Sequence, residues 1–145
     1  LLFIKKMKKS FLIIVLSFFL SSIASADYQN AMKSYDSGDY KGAFIEWKSL
    51  ALNGNSKAQT EIGSMYCNGD YVSQDYSECA YWFKKAVKQN EPRAQFLLGI
   101  SYLLGLGVEK SSLEAAYLIE AAKASGNRDA LKLIEYYRNN MGFDF

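Results

Sequence analysis

The sequence of 145 residues contains no histidine, and this absence excludes the imidazole base on which most serine and cysteine nucleophiles depend. A serine–lysine arrangement of the penicillin-binding kind would need a Ser-x-x-Lys motif, and the sequence has none. Without histidine, and with only two cysteines, the chain lacks the ligands of a typical transition-metal site. The sequence therefore predicts a protein that is not an enzyme, with no catalytic residue, no metal and no cofactor.

Proline is almost absent as well, since Pro92 is the only one, and no low-complexity linker interrupts the chain. No stretch has the alternation of apolar and polar residues that is typical of a β-strand. Residues 27–145 are enough for one domain with its own core but too few for two. These features predict a single all-α domain.

The amino-terminal residues have the three parts of a secretory signal peptide. Four lysines within residues 5–9 precede the apolar run 11–20, and a stretch of small residues ends in Ala24-Ser25-Ala26. We therefore predict a signal peptide over residues 1–26, cleaved after Ala26, and a periplasmic or secreted mature protein. The alternative is an uncleaved anchor, but the apolar run is shorter than the roughly 20 residues that a spanning helix needs. No stable membrane insertion is predicted after cleavage.

The charge of the mature chain differs from that of the whole sequence, which is +2. Residues 1–26 hold four of the 17 basic residues and none of the 15 acidic ones, so 13 basic and 15 acidic residues remain, a net charge of −2. Nucleic-acid binding depends on a clustered positive surface, which this balance does not provide. Nucleic acid is therefore not predicted as a partner.

An offset of thirty-six residues relates two consecutive parts of the mature sequence. Ten residues recur at this spacing, most of them of small or core-forming types, which indicates an internal duplication. Ala58, Gln59, Gly63, Tyr66, Gly69, Val72, Glu78, Ala80, Tyr81 and Ala86 reappear as Ala94, Gln95, Gly99, Tyr102, Gly105, Val108, Glu114, Ala116, Tyr117 and Ala122.

Helix start and stop signals divide each period into two helices. In the first period we expect a helix from about residue 57 to 67, ended by Asn68-Gly69, and a second from about residue 76 to 89, capped by Asp75. In the second period Pro92 suits a first helical turn, and Ser111 begins a capping-box pattern with an acidic residue three positions later.

Two-helix units of this kind bury one face each and stack into a solenoid with a continuous core. We predict about seven helices in an α-α superhelix, a right-handed solenoid of helix hairpins. The predicted divisions are an opening hairpin at 27–55, repeats at 56–91 and 92–127, and a capping helix with its tail at 128–145.

The residues of the two periods resemble a known family. Ala58-Gln59 to Tyr66, Asn68-Gly69 and Tyr81 to Ala86 are similar to the Sel1-like repeat (SLR), a relative of the tetratricopeptide repeat, and residues 94–122 resemble a second copy. The sequence departs from the family pattern where Asp70-Tyr71 replaces the usual loop glycine and where Cys79 replaces the usual alanine. The resemblance implies an adaptor or scaffold that binds other proteins and that is often exported in bacteria.

The two cysteines lie twelve residues apart, at facing ends of the predicted first hairpin. Cys67 closes its first helix and Cys79 lies in the first turn of its second helix, so a disulfide between antiparallel helices is geometrically reasonable. An exported protein meets an oxidising environment, which permits the bond. The alternative is a pair of buried thiols that pack as small apolar residues.

The resemblance also implies a binding surface, because the first helix of each hairpin lines the concave wall of tetratricopeptide-like solenoids. Phe96 and Ile100 stand where the preceding repeat has the polar residues Thr60 and Ser64. We predict an apolar patch at the groove centre that anchors a protein or peptide, formed by Phe96 and Ile100 and edged by Arg93, Lys132 and Tyr136. The alternative is that Phe96 and Ile100 pack on the terminal helix or the tail.

The function predicted from these features is an exported protein–protein interaction module, an adaptor, scaffold or regulator of another envelope protein. The alternative is an immunity protein that inhibits a secreted toxin, since such an inhibitor would also be small and exported. A hydrolase acting on cell-wall or β-lactam substrates is a weaker alternative because the catalytic motif is missing.

Overall fold

The structure is a computed structural model, and it describes residues 26–141. Seven helices and no strand lie within this range. The helices are α1 (26–36), α2 (Tyr40–Leu52), α3 (Ser56–Asn68), α4 (Tyr76–Val87), α5 (Pro92–Leu104), α6 (Ser112–Ala124) and α7 (Arg128–Met141). The predicted signal peptide lies outside the described residues except for Ala26, and the end of the predicted tail also lies outside them. No helix between residues 26 and 141 has the length and apolar character needed to cross a membrane.

The chain divides into two compact units, and the first ends at Glu46 within α2. In this unit Ala31 on α1 and Ala43 on α2 are both fully buried. The turn between the two helices ends at Asp39, whose carboxylate accepts a hydrogen bond of 2.9 Å from the backbone N–H of Gly42. A side-chain oxygen in this position satisfies a free N–H in the first turn of a helix, so Asp39 is a turn and cap residue.

The second unit begins at Trp47 and contains the two hairpins α3–α4 and α5–α6, followed by α7. Four side chains cap its helices: Asn55 accepts from the N–H of Ala58, Asp75 from two N–H groups of the next turn, Ser111 from the N–H of Glu114 and Asn127 from the N–H of Ala130. The caps at Asp75 and Ser111 confirm the helix starts predicted from the sequence.

A glycine at the same position of each first helix allows close packing inside both hairpins. A Cβ atom on Gly63 would lie 2.7 Å from the Phe83 ring, and one on Gly99 would lie 2.7 Å from Ile119 Cγ1. Real carbon atoms do not approach this closely, so the two recurring glycines are required by helix packing. The core that forms around these contacts contains Cys79, Ala80, Phe83, Leu98 and Leu118 in one cluster and Ile119, Ala122, Ala130 and Ile134 in another.

Cys67 and Cys79 form a disulfide, the first of the two alternatives that the sequence left open. Their Cα atoms are 5.3 Å apart, and the bond joins the end of α3 to the start of α4. The equivalent residues of the second hairpin, thirty-six positions later, are Leu103 and Ala115, which are both at least partly buried. The disulfide therefore takes the place of an ordinary apolar contact between helices.

The loop of the first repeat contains a strained residue at the point where the sequence departs from the family pattern. Tyr71 has a φ of +65°, and Gly107, thirty-six positions later, has a φ of +68°. Glycine adopts this left-handed conformation without a steric penalty, whereas a side chain makes it unfavourable. Tyr71 thus keeps the backbone conformation of the repeat although it lacks the residue type that favours it.

The architecture is the predicted one, an all-α solenoid of helix hairpins. Helix ends differ from the sequence-based estimates by one or two residues. The glycine contacts recur in both hairpins, which is how the repeated sequence gives a repeated packing.

Candidate partner-binding face

The five residues of the predicted binding surface lie on two helices of the second unit. Arg93, Phe96 and Ile100 belong to α5, and Lys132 and Tyr136 belong to α7. Together they are called the α5–α7 set below. Ala130 and Ile134 of α7 form one apolar cluster with Ile119 and Ala122 of α6, and side chains of α5 pack against this cluster.

Phe96 and Ile100 are half-buried side chains that pack against this cluster. The cluster contains residues of α6 and, from α7, Ala130 and Ile134, and it covers part of both side chains. Only the remaining exposed part of each side chain is available to a partner.

The polar residues at the equivalent positions of the first repeat do not mark a water-filled groove. Thr60 is 1% exposed and donates a hydrogen bond of 2.9 Å to the backbone carbonyl of Ser56. Ser64 is half-buried and donates in the same way to the carbonyl of Thr60. Both hydroxyls are satisfied within their own helix, which explains how a polar residue fits a covered position.

Arg93 is held in place by an ion pair with Glu61 of α3. The Glu61 side chain is 9% exposed and that of Arg93 is 50% exposed. A buried carboxylate is costly unless it is paired, so this contact stabilises Glu61 and fixes the guanidinium at the surface. Sequence reasoning missed the pair. One signal was available in the sequence: Glu61 is acidic, whereas the equivalent positions thirty-six and seventy-two residues later hold Leu97 and Leu133.

Lys132 and Tyr136 are the most exposed members of the α5–α7 set. Lys132 lies 3.5 Å from a carboxylate oxygen of Asp129 one turn earlier, with both side chains largely in solvent, and such pairs are weak. Tyr136 is 58% exposed, and its ring lies 5.8 Å from that of Tyr137 in an edge-to-face arrangement. These two side chains are free to contact a partner without disturbing the core.

A polar network at the junction of the repeats is complete in the first copy and incomplete in the second. Gln59 donates to the carbonyl of Ala51 at 3.1 Å and accepts from Gln89 at 3.0 Å. The equivalent Gln95 is 5% exposed, and its side-chain oxygen has no hydrogen-bond partner in the described part of the chain. The place of Gln89 is taken by Ser125, whose side chain is shorter and has no amide donor.

Replacing Ser125 by Gln is expected to raise the free energy of unfolding by about 1 kcal/mol, because the new amide can donate to the buried oxygen of Gln95. Urea unfolding monitored by circular dichroism measures the change. Ser125→Glu is the matched control, since glutamate has the same length but presents an acceptor and should give no gain. If both substitutions changed the free energy of unfolding equally, a hydrogen bond to the unpaired oxygen of Gln95 would not be the cause of the gain.

The repeats match a known family and several solved structures. A model of the Sel1 repeat matches residues 56–91 and 92–127. A protective antigen of uropathogenic Escherichia coli strains with an SLR fold is 30% identical, with a TM-score of 0.70, over 82% of this chain and 27% of that chain. A Sel1 repeat protein from Oxalobacter formigenes is 30% identical, with a TM-score of 0.71, over 81% of this chain and 48% of that chain. Cysteine-rich protein B of Helicobacter pylori is 22% identical, with a TM-score of 0.61, over 76% of this chain and 93% of that chain, a likeness of fold alone.

The match therefore spans about a quarter of the Escherichia coli relative and about half of the Oxalobacter relative. Proteins with Sel1 repeats are generally protein–protein interaction modules, and the family is typically a non-enzymatic scaffold. The two matched repeats, the helix hairpins that they form and the similarity to solved SLR structures show that this chain belongs to the Sel1-like repeat family.

Proposed function

We propose that this chain is an exported protein–protein interaction module, an adaptor or regulator that binds one partner protein on the surface formed by α5 and α7. The observations that support the proposal are an exposed tyrosine and an exposed lysine on α7 and, on α5, a half-exposed arginine that an ion pair holds in place. Tyrosine and arginine are the residue types that most often contribute binding energy at protein interfaces.

Export is part of the proposal and rests on separate observations. The structure contains a disulfide, which persists in oxidising compartments and is rare in reducing ones. The predicted signal peptide and the bacterial source of the similar structures agree with a periplasmic or secreted location. An exported repeat protein of this kind would act on other proteins of the envelope or of the surroundings.

The α5–α7 set divides into residues that suit a binding test and residues that do not. Phe96 and Ile100 pack on the core, and Arg93 neutralises a nearly buried carboxylate, so substituting any of them would change stability as well as binding. Lys132 and Tyr136 are largely exposed, so their side chains can be truncated without creating a cavity. The double variant Lys132→Ala/Tyr136→Ala is therefore the cleanest probe of this surface.

A pull-down from periplasmic extract, with mass spectrometry of the retained proteins, tests the proposal. We expect the parent chain to retain one specific protein and the Lys132→Ala/Tyr136→Ala variant to retain at least tenfold less of it, since interface aromatics and their neighbours commonly contribute more than 1.4 kcal/mol. The matched control is Tyr117→Ala, which removes a tyrosine of similar exposure from α6 and should leave retention unchanged.

The outcome also distinguishes the proposed role from its alternatives. An envelope protein as the retained partner supports an adaptor or regulator, whereas a secreted toxin would identify an inhibitor. Equal loss of the partner with Tyr117→Ala and with the double variant would contradict binding at the α5–α7 set.

A further inference from the structure

Two ammonium groups lie against one tryptophan ring in the first repeat. Lys48 Nζ is 4.4 Å and Lys85 Nζ is 5.0 Å from the centroid of the Trp82 ring, distances at which a cation is attracted to the ring. Trp82 is 3% exposed. Lysine side chains commonly cover apolar surface with their methylene groups while the charged end stays near water. This arrangement therefore buries the indole and presents two positive charges above it.

Two tyrosines extend this arrangement. Lys48 Nζ lies 5.7 Å from the Tyr66 ring, Lys85 Nζ lies 5.0 Å from the Tyr81 ring, and the Tyr81 and Trp82 rings meet edge to face at 5.4 Å. The five residues come from α2, α3 and α4 and are called the lysine–aromatic cluster below. Tyr81 is about half exposed, so the cluster has an aromatic surface beside its charges.

Four lysines lie in or near the cluster, against two acidic residues, Glu78 and Asp75, that act on its Tyr66. Both ammonium groups are measured from the same ring centroid, so they cannot be more than 9.4 Å apart, which is close to the screening length of roughly 8 Å at physiological salt. Residues 79–90 add Lys84 and Lys88, both exposed, and contain no acidic residue. Burial, with smaller contributions from Glu78 and Asp75, raises the pKa of Tyr66, so its phenol stays neutral and does not offset these charges.

Comparison of the repeats shows that the fold does not require the cluster. Thirty-six positions after Trp82 and Lys85 stand Leu118 and Ala121, and Leu118 is well buried in the core. A leucine and an alanine thus satisfy the packing of the second repeat at these positions. The indole N–H of Trp82 is a further unexplained feature, because it has no acceptor among residues 26–141.

We propose that the lysine–aromatic cluster binds an acidic segment of a partner protein. Carboxylates placed near Lys48 and Lys85 relieve the repulsion between the two ammonium groups, and apolar atoms of the segment pack on the exposed Tyr81 ring. The cluster shares no residue or helix with the α5–α7 set. The proposal for one surface can therefore be wrong while the proposal for the other is right.

Fluorescence anisotropy with a labelled decaglutamate peptide tests this proposal, with labelled decaglutamine as the uncharged probe. The parent protein is expected to bind decaglutamate and not decaglutamine, and to bind it more weakly as salt is raised. Lys48→Gln/Lys85→Gln should weaken binding by roughly tenfold, whereas Lys48→Arg/Lys85→Arg, which keeps both charges and both ring contacts, should retain it. Circular dichroism checks that both variants are folded.

A second charge-removing variant locates the site. Lys110→Gln/Arg128→Gln removes the same charge from exposed positions outside the cluster and should bind decaglutamate as the parent does. Equal weakening by this variant and by Lys48→Gln/Lys85→Gln would overturn the proposal, since net charge alone would then explain binding. Binding to vesicles that contain phosphatidylglycerol, without binding to decaglutamate, would also overturn it by assigning the cluster to a membrane surface.

Discussion

Replacement of both cysteines by alanine is expected to lower the free energy of unfolding by about 3 kcal/mol. The Cys67–Cys79 bond closes a loop with a sequence separation of 12, and without it the unfolded chain gains conformational freedom. A loss of this size is a large part of the stability of a small domain. Urea unfolding of the parent and the variant, followed by circular dichroism, measures the change.

The second hairpin provides the control for this experiment. Cys67→Leu/Cys79→Ala gives the first hairpin the residues that the second one has at the equivalent positions, Leu103 and Ala115. This variant keeps apolar packing but lacks the covalent bond, so it should remain well below the parent in stability. If either variant were as stable as the parent, the disulfide would be dispensable and the loop-closure explanation wrong.

Replacement of Gly63 by alanine is expected to destabilise the protein by about 2 kcal/mol, although alanine normally favours a helix over glycine. The added Cβ would lie 2.7 Å from the Phe83 ring and 3.2 Å from the carbonyl oxygen of Cys79, which leaves it no room. Gly99→Ala should act in the same direction, because Ile119 and the carbonyl of Ala115 surround that position in the same way. Thermal and urea unfolding would measure both changes.

A double-mutant cycle with Phe83→Leu identifies the cause. The smaller side chain opens space for the Cβ, so the combined variant should lose less stability than the two single variants do together. Ser64→Ala, at the next position of the same helix, serves as the control for a small change outside the contact and should have an effect below about 1 kcal/mol. A stabilising effect of Gly63→Ala would contradict the close packing of α3 and α4.

Much of the fold could be predicted from the sequence because the signals are local or repeated. Asp75 and Ser111 cap helices through hydrogen bonds to residues two or three positions away, so their role follows from the sequence alone. The offset of thirty-six residues identified Gly63 and Gly99 as equivalent before their contacts were known. The disulfide was foreseen as one of two alternatives, since a helix hairpin brings Cys67 and Cys79 together.

The surfaces were harder to predict because exposure depends on what packs from other helices. A polar residue such as Thr60 is buried once its hydroxyl bonds to its own helix, and Phe96 is half-buried because it packs against a cluster formed by residues of α6 and α7. The sequence does not place Arg93 beside Glu61, or Lys48 against Trp82, because each pair joins residues more than thirty positions apart. Contacts of this kind depend on the stacking of successive hairpins.

These contacts change which members of the predicted binding surface can be tested cleanly. Arg93 and Phe96 have structural roles of their own, whereas Tyr136 is largely exposed, and its described contact is with the ring of Tyr137 on the same helix. An interface on α5 and α7 would therefore combine side chains that the fold holds in place with others that adjust to the partner. Such a division is common, since a few fixed anchors contribute most of the energy of an interface.

The most direct test of the proposed function is photo-crosslinking in the living cell, with p-benzoylphenylalanine in place of Tyr136 and, in a parallel strain, in place of Tyr117. Both tyrosines are well exposed, but only Tyr136 belongs to the α5–α7 set. We expect a single protein adduct from position 136 and none from position 117. The same adduct from position 117 and none from position 136 would contradict an interface on α5 and α7.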